Sequence, residues 1–122
     1  MMKRLVCGVF LAAAFQAPPA QAGIYLSGSD LFADCSVPKD NPVYFSRTER
    51  CTGFITGVVD ATEGLRSLQS KPYCVPPEAT LGQLNDVVLQ YMQANPANRS
   101  LAASALVIAA LSGAYNCAAL LG

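Results

Sequence analysis

The chain has 122 residues and no histidine. Nucleophile arrangements that rest on an imidazole base, Ser-His or Cys-His, are therefore excluded. Two carboxylates, Asp60 and Glu63, fall at i and i+3 and share one face of a helix. A pair of acids across a cleft is what glycoside hydrolysis needs. An acidic pair on a helix is ordinarily solvated or bonded to neighbouring backbone, and that is the reading taken here. Gly53 and Gly57 lie within a helical pattern rather than between a strand and a helix, so neither builds a phosphate-cradling loop. The expectation is a protein that is not an enzyme, with no catalytic residue, cofactor or metal.

The remaining reactive side chains are cysteines, and their chemistry depends on where the chain goes. Lys3 and Arg4 precede an apolar run from Leu5 to Phe15, and Pro18 and Pro19 precede Ala20-Gln21-Ala22. These are the three parts of a cleaved secretory signal. The run is shorter than the roughly 20 residues a bilayer span requires, so residues 1–22 read as a leader and residues 23–122 as one exported domain. Cys7 goes with the leader as a small hydrophobe. Loss of Lys3 and Arg4 leaves six basic residues against eight acidic ones, and that mildly acidic balance argues against nucleic acid as a partner. No membrane association is expected after cleavage.

Cys35, Cys51, Cys74 and Cys117 remain. An even number in a small exported domain reads as two disulfides. The rival is a four-thiolate zinc site, but structural zinc is usually held by cysteines paired two to four residues apart, and no such pair exists.

Four helical segments must position these groups, so the predicted fold class is all-α, a small disulfide-stapled bundle. Ser29 is the predicted N-cap of a short first helix that ends before Pro38. Ser46-Arg47-Thr48-Glu49 reads as the capping box of the second. Its expected core face is Cys51, Phe54, Ile55, Val58, Val59, Leu65 and Leu68. Gly53, Gly57 and Ala61 are spaced by four along this helix, with Gly64 beyond. Each glycine costs about 1 kcal/mol of helix stability, and close approach of a neighbouring backbone is the expected compensation. Pro72, Pro76 and Pro77 keep the next connection extended. Thr80-Leu81-Gly82-Gln83 caps a third helix whose stripe is Leu81, Leu84, Val87, Val88, Tyr91 and Met92. The fourth is predicted from near Asn98 to about Ala114. From Leu101 to Leu111 its only polar residue is Ser104, which fits either a central helix or one covered by a partner, with the interface reading preferred.

Short connections favour an up-down-up course for the last three helices. Cys74 then leaves the top of the second helix, Cys117 follows the top of the fourth, and Cys35 and Cys51 lie near the bottom. Cys51 and Cys74 are about 25 Å apart along a helix, whereas a bridge needs alpha carbons within about 7 Å. The predicted pairs are Cys35–Cys51 and Cys74–Cys117.

Cys51-Thr52-Gly53-Phe54-Ile55-Thr56-Gly57-Val58-Val59-Asp60 resembles the hallmark of the Rap/Tai family of type VI secretion amidase immunity proteins. Tyr73-Cys74-Val75-Pro76, the helix from Thr80 to Tyr91, Asn95-Pro96 and the closing helix ending at Cys117 are similar to that family in order and spacing. One departure is local: the family usually places a proline before the final cysteine, and here Tyr115 and Asn116 stand there. The resemblance implies a periplasmic protein that binds a peptidoglycan amidase effector and caps its active site, is often a homodimer, and carries no catalytic residues. The candidate partner-binding residues are Lys71 and Tyr73 on the proline-held connection and Asn98 and Arg99 in the turn after Asn95-Pro96. Tyrosine and arginine are enriched at interface hot spots. Two alternatives share the same frame: an acid-activated periplasmic chaperone of the HdeA type, loosened by protonation of its eight carboxylates, and an envelope structural subunit with no toxin partner.

Overall fold

A computed structural model describes residues 25–117; residues 1–22, where a secretory leader is expected, lie outside them. The elements are α1 (Gly28–Cys35), α2 (Tyr44–Leu68), α3 (Leu81–Ala94), a 3-10 turn (Pro96–Ser100) and α4 (Ala103–Ala114). The all-α expectation holds.

Helix starts separate local from non-local signals. Thr80 caps α3 as expected: its hydroxyl accepts from the Gln83 amide at 3.2 Å, and the Gln83 side chain accepts from the Thr80 amide at 2.9 Å. The cap of α1 is Ser27 and not Ser29, with Asp30 as the reciprocal acid. The Ser29 hydroxyl instead donates to the Arg99 carbonyl. Helix α2 also begins before its expected box. Asn41 accepts from the Val43 amide through its side chain and from the Tyr44 amide through its carbonyl, which turns the chain into a helix at Tyr44. Ser46 is thus inside the helix and its hydroxyl donates back to the Val43 carbonyl.

The largest departure concerns α4. Residues 98–102 do not join it, because their backbone is used by the N-terminal segment. Gly28 N–H donates to the Leu101 carbonyl at 2.8 Å and Ala103 N–H to the Leu26 carbonyl at 3.0 Å. Ser27 and Ala102 form an isolated antiparallel bridge. A chain that satisfies these groups with a distant partner cannot also close helical bonds there.

The core combines Leu31 of α1, Cys51 and Ile55 of α2, Leu84, Val88 and Met92 of α3, and Ala103, Leu106, Val107, Ala110 and Leu111 of α4. One side of α4 is buried; Ser104, Ala105 and Ala109 on the other are exposed. Leu65 and Leu68, expected in the core, are exposed, and Thr62 and Arg66 are buried in their place. Both polar residues find acceptors within the fold. The Thr62 hydroxyl bonds the Val58 and Val59 carbonyls, and Arg66 Nε donates to the Pro72 carbonyl at 2.8 Å. These bonds offset part of the desolvation penalty, although Arg66 Nη1 is buried among the described residues without a partner, and the stripe continues along helical geometry rather than along hydropathy.

Both expected disulfides are present. Cys35–Cys51 joins α1 to α2 with alpha carbons 5.1 Å apart, and Cys74–Cys117 joins the α2–α3 connection to the end of α4 at 5.6 Å. In a chain-entropy treatment they contribute about 3 and 4 kcal/mol. Where the family proline is missing, Asn116 adopts positive φ and the Cys117 amide reaches back to the Ser112 carbonyl. That is a Schellman ending, which tolerates asparagine in the left-handed position, and it delivers Cys117 to its partner.

Candidate binding surfaces

The α2–α3 connection is the most closely tethered loop. Helix α2 ends in a second Schellman motif: Ser70 has φ 57°, its amide donates to Ser67, and the Lys71 amide donates to the Arg66 carbonyl. Arg66 then holds the Pro72 carbonyl. The Glu63 carboxylate accepts from the Cys74 amide at 3.0 and 3.1 Å and from the Val75 amide at 2.9 Å. Of the two helix acids, Glu63 is therefore committed to backbone, while Asp60 is exposed. This disposes the pair for structure rather than for a shared catalytic proton. Tyr73 is 68% exposed between these anchors. It forms one lip of a groove of about 540 Å³ that faces Asp60, Gly64 and Ser67.

Asn98 and Arg99 lie at the other end of α3, which is about 21 Å long. Lys71 and Tyr73 adjoin its start, and the 3-10 turn follows its end. The four candidate residues therefore form two separate surfaces. Arg99 is also engaged within the fold: its guanidinium stacks over the Phe32 ring at 3.6 Å and its Nε donates to the Met92 carbonyl at 2.8 Å. Asn98 receives the Leu101 amide on its carbonyl.

The glycines of α2 correct another expectation. A methyl group built on Gly53, Gly57 or Gly64 would meet nothing within 4 Å among the described residues, so no neighbouring backbone of those residues packs closely on them. Gly53 and Gly57 border an open apolar groove of about 470 Å³ between α2 and α4, walled by Phe54, Val58, Ala61 and Ile108. Glu49, Thr52, Thr56 and Asp60 give the neighbouring face of α2 a polar character. Asn85 of α3, which no sequence pattern singled out, donates to the Thr52 hydroxyl at 2.7 Å across the α2–α3 seam.

At the α1–α2 corner the buried Asp34 carboxylate meets Arg47 at 2.6 Å and Arg50 at 3.5 Å. Asp30 is held below the usual carboxylate range by the Ser27 hydroxyl first and the Ser27 amide second. Both acids serve the α1 junction. Among the described residues no group of three or more histidine, cysteine or acidic side chains is arranged to hold a metal ion.

No curated protein and no solved structure matches the chain significantly. A family model for Rap1a immunity proteins matches residues 27–117. That span starts at the Ser27 cap of α1 and ends at Cys117 of the second disulfide, so it contains every helix of the described residues, both bridges and both surfaces. The chain belongs to the family of Rap1a immunity proteins.

Proposed function

We propose that the chain is exported to the periplasm by its N-terminal leader and there binds and inhibits a type VI secretion peptidoglycan amidase without modifying it. The observation that carries this reading is the family match over residues 27–117. Two disulfides suit an oxidising compartment. Inhibition by binding needs a rigid surface and no catalytic group of the inhibitor's own. Tyr73 and Lys71 on the tethered connection are the primary contact, and Asn98 and Arg99 at the opposite end form a separate one. The family match favours this reading over the acid-activated chaperone.

The reading includes a homodimer. The open Gly53–Gly57–Ala61 face and the adjoining apolar groove offer the surface on which a second copy would seat. Sedimentation of the oxidised protein is expected to give a dimer that Gly57→Leu weakens; a monomer at all concentrations removes this part of the reading.

The decisive experiment directs the amidase encoded beside this gene to the periplasm, with and without the exported chain. Co-expression is expected to suppress lysis, and Tyr73→Ala to suppress it less well. Equal lysis with and without the wild-type chain, or the lack of an adjacent amidase, refutes the immunity function.

A further inference from the structure

The backbone on either side of Tyr73 is pinned by two side chains of α2. The preceding carbonyl, that of Pro72, accepts from Arg66 Nε at 2.8 Å. The following amides, of Cys74 and Val75, donate to the Glu63 carboxylate at 2.9–3.1 Å. Glu63 and Arg66 are one helical turn apart, so both reach the connection from the same rigid element. Cys74 is fixed further by its bridge to Cys117, and Arg66 is buried with 7% of its surface exposed.

What this arrangement presents contributes little to the core. Tyr73 leaves 68% of its surface in solvent. A charged side chain on each flank therefore orders an aromatic residue that the fold itself hardly buries. Ordering such a group before contact removes an entropic cost that binding would otherwise bear. A large exposed aromatic in a fixed position is the type of group that dominates interface energetics.

We propose that Glu63 and Arg66 are positioning residues: they touch no partner, and they hold Tyr73 in the orientation in which it docks on the amidase. The proposal rests on the immunity reading. It assigns the orientation of that contact to two side chains of α2, one of which, Glu63, lines the same groove as Tyr73. Glu63 acts through its carboxylate oxygens on two amides, so a side chain that keeps one suitable acceptor oxygen should keep most of the effect.

The test is calorimetric titration of the catalytically inactivated neighbouring amidase with the oxidised chain and its variants. Tyr73→Ala is expected to weaken binding about 30-fold, as for a hot-spot aromatic. Glu63→Ala should weaken it about 10-fold, the effect of reordering a loosened side chain and its loop. Glu63→Gln, which retains a carbonyl acceptor, should recover to within about 3-fold of wild type. The double variant Glu63→Ala/Tyr73→Ala should bind no more weakly than Tyr73→Ala, since the only function of Glu63 in binding is to place Tyr73. Hydrogen exchange at the Cys74 and Val75 amides should accelerate in Glu63→Ala while the α3 amides stay protected. The proposal is overturned if Glu63→Ala binds like wild type. It is equally overturned if that change costs as much in the Tyr73→Ala background as in the wild type, or if Tyr73→Ala itself has no effect. A wild-type chain that fails to bind the amidase overturns the immunity reading as well, and so separates that failure from the others.

Discussion

Gly28 and Gly53 are both helical glycines, and alanine at the two positions should move stability in opposite directions. Neither has positive φ, so conformation does not demand glycine at either; only space distinguishes them. A methyl group on Gly28 would lie 2.9 Å from both the alpha carbon and the carbonyl oxygen of Arg99 and would overlap the Leu106 side chain. Leu106 can adjust, but the Arg99 carbonyl is held by Ser29 and the Arg99 side chain is anchored on Phe32 and the Met92 carbonyl. Relief must push α1 away from the 3-10 turn and stretch the Gly28–Leu101 bond. Overpacking of this kind costs about 1–3 kcal/mol. For a domain of this size each kcal/mol shifts the melting temperature by about 4–8 °C, so Gly28→Ala should melt at least about 4 °C lower. At Gly53 the methyl group meets nothing, and relief of the glycine entropy penalty should stabilise by about 0.5–1 kcal/mol. Scanning calorimetry of the oxidised protein, dilute enough to be monomeric, measures both. An unchanged melting temperature for Gly28→Ala, or a lowered one for Gly53→Ala in the monomer, would refute the assignment of close packing to α1 and open space to α2.

Three further outcomes follow from local geometry. Ser70 bears the left-handed position of the α2 Schellman motif, so Ser70→Gly should stabilise by about 1 kcal/mol in chemical denaturation, the strain a non-glycine residue carries there. At the Asp34 cluster the acid is 2% exposed while Arg47 and Arg50 are 42% and 60% exposed. The double change Arg47→Ala/Arg50→Ala strands a buried carboxylate and should cost about 3 kcal/mol, whereas Asp34→Ala frees two arginines to rehydrate and should cost less; equal losses in urea melts would contradict this asymmetry. Asp30 has a folded pKa below its unfolded value because Ser27 bonds the charged form. Its contribution is complete above the unfolded value and is lost as pH falls through the lower folded one. Asp30→Asn should therefore melt below wild type at neutral pH, with the difference vanishing in strong acid.

Much of this molecule could be read from short-range pattern. The Thr80–Gln83 box, the α3 stripe at Leu84, Val88 and Met92 (though not at Leu81, which is exposed), the proline-held connection and the pairing of Cys74 with Cys117 all rest on short-range spacings. The cysteine pairs needed only helix directions and the reach of a bridge. The family resemblance, carried by the order of weak motifs, agrees with the match over residues 27–117. Tertiary structure decided what depends on partners far along the chain. Leu26 and Gly28 take the backbone groups of Ala103 and Leu101, and this separates the 3-10 turn from α4, though the residues between them are as apolar as the helix that follows. Arg99 became a packed residue because Phe32 and the Met92 carbonyl happen to converge on it. Thr62 and Arg66 displaced Leu65 and Leu68 from the interior because acceptors from Val58, Val59 and Pro72 lie within their reach. Helical periodicity is encoded in neighbouring residues, but burial of a polar group or release of a helix end depends on which distant backbone supplies the complementary hydrogen bond.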